Sequence, residues 1–158
     1  MATFIGDFVC KADAKGRFVL PSHFKKVMNG MEENRFVLRK DLHTNCLFAY
    51  PYPVWEAHIE DIRSKLNMYD RADSLAYRQY VRTAAEVSFD ANGRMLLPKR
   101  LMQIIGSPKE VVMAGVDDKI EVWNNADYGV GEMTESELDV YLQNKLGEKS
   151  NTEEREDA

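Results

Sequence analysis

Two aspartate–arginine pairs are the residues of this chain whose types and spacing best suit a chemical task. Asp13 and Arg17 stand in "DAKGR", and Asp90 and Arg94 stand in "DANGR", 77 positions further on. The planar fork of an arginine can bond O6 and N7 of a guanine together, and a neighbouring carboxylate can hold it in place. In each phrase the aspartate can accept from its own following backbone, and the glycine supplies a positive φ. The spacing therefore reads as a tight turn that projects an arginine. Each aspartate can orient its arginine or accept from a cytosine N4.

Charge around the turns points the same way. From Lys11 to Lys26 the chain has Lys11, Lys15, Arg17, Lys25 and Lys26 against Asp13, a net of +4. The stretch from Ser88 to Gln103 has Arg94, Lys99 and Arg100 against Asp90, a net of +2. Lysines in such islands suit phosphate contacts that set register. A purely structural reading stands beside this one: the aspartate caps, the glycine permits, and the arginine pairs on the surface for ~0.5 kcal/mol.

The whole chain is acidic. Its 158 residues carry a net charge of −5 with a pI near 5.3, so any anion site must be local. With 44% hydrophobic residues the chain can bury a core. No apolar run approaches the roughly 20 residues that span a bilayer, and "MATFIGDFVCKAD" lacks the basic-then-apolar plan of a signal peptide. A cytosolic chain without a membrane partner is the expectation. Cys10 and Cys46 are far apart and read as small buried hydrophobes.

Enzyme readings find little support. His23, His43 and His58 are scattered; His43 and Cys46 in "HTNC" offer two metal ligands where a closed site needs four. No glycine-rich phosphate loop and no G-x-S-x-G motif occur. Neither catalysis nor a cofactor or metal is expected.

The twin phrases sit inside a longer repeat. "CKADAKGRFVLPSHFKKVMNG" lies over "VSFDANGRMLLPKRLMQIIGS", with Phe24, Val27 and Met28 matching Leu101, Ile104 and Ile105. Beyond them "RFVLR" lies over "EVVMA", and "CLFAYP" over "KIEVWN". Each unit reads as an extended stretch, the turn, a short β run, a proline-started helix ending at Gly30 or Gly106, and two closing strands.

Between the units, Trp55, Ile59, Ile62, Leu66 and Tyr69 form a stripe on a helix that Pro53 can start. Asp73 is the predicted cap of a shorter helix with Leu75 and Gln79 on its inner side. After the second unit, Thr134 and Glu137 form a capping box ahead of Leu138, Tyr141, Leu142 and Leu146. These stripes suit core packing, self-association or docking of a partner protein. The end, "GEKSNTEEREDA", is acidic and aromatic-free and is predicted to be disordered.

"DAKGRFVLP" and "DANGRMLLP", with a helical insertion between them, resemble the MraZ family of bacterial transcriptional regulators, built from tandem SpoVT/AbrB-like units. The resemblance covers all but the acidic tail. It implies an α+β, mainly β fold: two tandem swapped-hairpin β units forming a pseudo-two-fold barrel, with helices inserted after each unit. The division would be 1–76, 77–146 and a tail at 147–158. It also implies head-to-tail homo-oligomeric rings, nucleoid association, and binding of double-stranded DNA at short direct repeats upstream of the protein's own division and cell-wall genes, usually as a repressor. The matching DNA-contact residues are Asp13 and Arg17, with Asp90 and Arg94 as counterparts; Lys15 is added from the local charge. Asn92 replaces Lys15 in the second copy, so the first turn is expected to lead. A ring would also explain an acidic DNA binder, because counterion release scales with the phosphates met by the whole assembly. An adaptor of related fold with no DNA role is the alternative.

Overall fold

A computed structural model of the chain describes residues 3–156, with side chains through residue 147. Its elements run β1 (Asp7–Lys11), β2 (Arg17–Val19), α1 (Ser22–Gly30), β3 (Arg35–Lys40), β4 (Leu47–Pro51), α2 (Tyr52–Ser64), α3 (Arg71–Arg82), β5 (Ala85–Ser88), β6 (Arg94–Leu96), α4 (Lys99–Ile104), β7 (Glu110–Val116), β8 (Lys119–Asn124) and α5 (Glu135–Glu156). The fold is α+β with antiparallel strands. Residues Met1–Tyr128 form one compact unit and Gly129–Ala158 another.

Six strands pair in the order β1-β7-β8-β4-β3-β5, and β2 and β6 form a separate ribbon. The two repeats exchange strands: β1 pairs with β7 of the second repeat, and β5 pairs with β3 of the first. At the centre, β4 meets β8 with Phe48 opposite Glu121. Because β1 and β5 remain as edges, the hydrogen-bonded strands form no closed barrel among the described residues. That corrects the barrel expected from the resemblance. The repeat could specify strand count, but closure depends on pairing between strands remote in sequence.

The repeated helices turn matching faces inward. Phe24 and Met28 of α1, like Leu101 of α4 and Ile105 just after it, are buried in one core with Phe18, Phe36, Val111 and Met113. Val27 and Ile104 pack partly buried against the same core. Pro21 and Pro98 precede the two helices with extended φ/ψ, as the sequence suggests. Cys46 is buried and Cys10 partly so, and burial pushes both thiols up to about 11, which favours the neutral thiol at each position.

The insertion departs from the predicted stripe. Helix α2 buries Trp55 against Val37 and Tyr50, with Ile59 partly buried beside them. It stops at Ser64, so Leu66 and Tyr69 lie beyond it, and Tyr69 is fully exposed. A knot of local bonds breaks the helix: the Asp73 carboxylate accepts from the Asn67 N–H (2.9 Å), and Asp70 accepts from the Asp73 N–H (2.9 Å). Asp70, not Asp73, is therefore the cap of α3. The inner residue of α3 is Tyr80, which stacks on Trp55 at 6.0 Å; Leu75 and Gln79 are exposed. Replacing Asp70 with alanine is expected to cost about 1 kcal/mol, read as a lower urea midpoint at unchanged slope.

His58 ties the two helices together. Its Nε2 lies 2.8 Å from the Tyr80 hydroxyl, and its ring stacks on Tyr50 at 4.7 Å. Burial, with Lys119 adding repulsion against the weaker pull of Asp61 and Asp118, holds its pKa below the ordinary value. The unfolded chain therefore binds the proton better, so this contribution is complete above about pH 6.5 and is lost as the pH falls. Thermal melts of the wild type should weaken below that pH, with a smaller early loss in His58→Gln. Parallel curves for the two proteins would contradict this.

Helix α5 opens as the sequence predicts, with the Glu137 N–H donating to Thr134 Oγ1 (3.2 Å). Leu138, Tyr141, Leu142 and Leu146 are all exposed. The helical backbone continues through Glu156, into the stretch predicted to be disordered; of that stretch, residues 157 and 158 lie outside the described residues.

Candidate nucleic-acid interface

The two turns are built alike. Asp13 Oδ1 accepts from the N–H groups of Lys15 (2.9 Å) and Arg17 (2.8 Å), and the Gly16 N–H donates to the Asp13 carbonyl (3.0 Å). Asp90 Oδ1 accepts from Asn92 and Arg94 (both 2.9 Å), and the Gly93 N–H donates to the Asp90 carbonyl (2.9 Å). Gly16 and Gly93 have φ of +79° and +77°, which a side chain rarely adopts. Backbone N–H donors, first Arg17 for Asp13 and Arg94 for Asp90, hold both carboxyls below the usual range.

The arginines differ. Arg17 Nε donates to Asp13 Oδ2 at 2.9 Å, a bond that orients the half-exposed guanidinium and leaves its two terminal nitrogens out of the pair. No matching side-chain bond joins Arg94 to Asp90 among the described residues, and Arg94 is exposed.

Strands β2 and β6 bring the turns together. Their register sets Arg17 opposite Leu96, Phe18 opposite Met95, and Val19 opposite Arg94. Strand alternation buries Phe18 and Met95, so Arg17, Val19, Arg94 and Leu96 share the outer face. Val19 is 52% exposed and Leu96 60%. The sequence reading passed over these two apolar residues. The period-two pattern of "RFVL" and "RMLL" carried the signal.

Not every base in the islands is free. Lys25 Nζ donates to the Ala91 carbonyl at 2.6 Å, and Arg100 Nη1 to the Thr83 carbonyl at 3.0 Å. Lys25 thus braces the second turn from the first repeat. Lys15 is exposed beside Arg17, whereas the corresponding Asn92 carries no charge. Among the described residues no group of three or more His, Cys, Asp or Glu could hold a metal ion. No helix there is long and apolar enough to cross a membrane.

A separate two-stranded ribbon with an arginine from each repeat on one face, beside a six-stranded antiparallel sheet, defines the class: an α+β protein built from a repeated β-turn-β-helix unit. Comparison with known proteins narrows it. The model of the family described as "MraZ protein, putative antitoxin-like" matches residues 80–140. The chain is 39% identical over 123 residues to the transcriptional regulator MraZ of Bacteroides fragilis, covering 78% of each chain. It is 33% identical over 150 residues to the MraZ of Phocaeicola vulgatus, covering 95% of this chain and 97% of that one. It is 36% identical over 121 residues to that of Serratia proteamaculans, covering 77% and 79%. The chain belongs to the MraZ family.

Proposed function

We propose that this protein is a non-enzymatic, sequence-specific DNA-binding regulator of transcription whose β2–β6 ribbon reads short direct repeats upstream of its own gene. The observation that carries the reading is the ribbon register, which sets Arg17 and Arg94 on one exposed face. The relatives' name, transcriptional regulator, supports it. Arg17 is the principal base reader and Arg94 the lesser one; Lys15 meets phosphate. Asp13 and Asp90 act as turn-formers, and Asp13 also orients Arg17, because its two oxygens already serve the turn and the guanidinium.

Two tandem units at 1–76 and 77–146, exchanging their first strands about a pseudo-two-fold axis, form the framework. Support comes from two self-matching pairs: Phe18 faces Met95, its repeat counterpart, and Phe48 faces Glu121, its counterpart in the alignment. Head-to-tail assembly of several chains, with repression of the division and cell-wall cluster from the nucleoid, completes the proposal. An oligomer supplies what one acidic chain lacks, since counterion release adds over every ribbon engaged. Exposed Ile5 and Val9 near the β1 edge and the apolar stripe of α5 suit such contacts.

The test is fluorescence anisotropy on DNA from upstream of the gene, titrated across salt and against scrambled DNA. Preferential, salt-sensitive binding is expected. Equal affinity for both sequences, or recovery of a protein partner with no DNA affinity, would favour the adaptor.

A further inference from the structure

The two turns have unlike flanks. On the second, Lys25 lies across the turn: a Cβ placed on Gly93 would meet Lys25 Cδ at 3.4 Å and the Leu20 carbonyl at 3.6 Å. By the repeat, Met102 occupies the position of Lys25, and Gly16 that of Gly93. A Cβ on Gly16 would meet nothing within 4 Å. The space that Lys25 fills beside the second turn is open beside the first.

That space is a cavity of about 310 Å³. Its apolar wall includes Phe18, Leu97, Met102 and Pro108, and Lys15, Lys99 and Lys109 also line it. All three lysines are exposed, and none forms an ion pair among the described residues. The volume falls at the lower end of ligand pockets, roughly 300–1,000 Å³. An apolar wall bordered by three uncompensated amines favours one ligand chemistry: an apolar body ending in a carboxylate or phosphate.

We propose that this cavity is a binding site for a small, soluble amphiphilic anion, and that its occupation weakens DNA binding by the first turn. Lys15 and Gly16 belong to both the cavity and the turn, so an occupant engages the lysine assigned to phosphate. This coupling rests on the proposed function; ligand binding itself does not.

Isothermal titration with decanoate, below its micellar concentration and without DNA, tests the site. Decanoate should bind at one per chain, with inorganic phosphate at least about tenfold weaker. Met102→Lys should place an amine within reach of the Ala14 carbonyl, as Lys25 serves Ala91, and should weaken decanoate by about tenfold or more. If that variant loses its circular dichroism spectrum, the Lys99→Ala/Lys109→Ala variant decides, with the same loss expected. Absent or multi-site binding by the wild type, wild-type affinity in the folded variants, or preference for phosphatidylglycerol vesicles over free decanoate would overturn the proposal. In the DNA arm, decanoate should weaken promoter binding by the wild type and spare Met102→Lys. Decanoate binding by a protein with no DNA affinity would overturn the regulator reading and leave the site standing.

Discussion

Arg17→Ala is expected to lower affinity for the native repeats by about 1–3 kcal/mol per engaged site, roughly 5- to 150-fold, and to relax discrimination at one base position. On the proposed function the large effect follows from the orientation of this guanidinium: Asp13 holds Nε, and the terminal nitrogens, outside that bond, would read a guanine edge. Arg17→Lys should be severe too, because a point charge cannot replace the fork. Arg94→Ala should cost less, since Asp90 gives that arginine no comparable side-chain bond and its lysine neighbour is replaced by Asn92. Lys15→Ala should weaken all sequences alike and reduce the salt slope by about one. Lys25→Ala should behave differently from a phosphate-contact loss, because Lys25 braces the Ala91 carbonyl. Anisotropy titrations of these variants on native and scrambled DNA separate the effects.

Phe24→Ala is expected to cost about 3–5 kcal/mol, a large share of the stability of a domain this size. The ring is fully buried and meets Phe4 and Phe8 edge-on at centroid distances of 5.5 and 5.2 Å. Its removal leaves a cavity at the contact between α1 and the strand system. Tyr69→Ala should stay within about 0.5 kcal/mol of wild type, since that side chain is fully exposed. Urea unfolding should show a lower midpoint for the first variant and none for the second. A large loss at Tyr69 would restore the continuous helical stripe.

What the sequence disclosed was mostly local. The turns were legible because an aspartate, a glycine and the intervening backbone bonds lie within five residues. Helices α1 and α4 were legible because proline starts and apolar spacing are likewise short-range signals. The helical stripe failed after Ser64 because its spacing continued through Leu66 and Tyr69 while polar bonds among Asn67, Asp70 and Asp73 stopped the helix. The sequence points to Asp73 as the cap, whereas the backbone path gives that role to Asp70, three residues earlier. The exchange of β1 and β5 between repeats joins residues far apart in sequence, such as Cys10 with Val111, and no local pattern records that pairing. The difference between the turn flanks was present as Lys25 against Met102. It acquires meaning only when each helix is seen beside the opposite turn.

The most direct measurement is a binding isotherm of wild type and Arg17→Ala on the native upstream repeats and on scrambled DNA, with the size of each protein followed by light scattering in the same buffer. The expected result is an assembled wild type that prefers the native repeats, and an Arg17→Ala protein of the same size that has lost most of that preference. An Arg17→Ala protein of unchanged size that still selects the native repeats with wild-type affinity would contradict base reading by this ribbon.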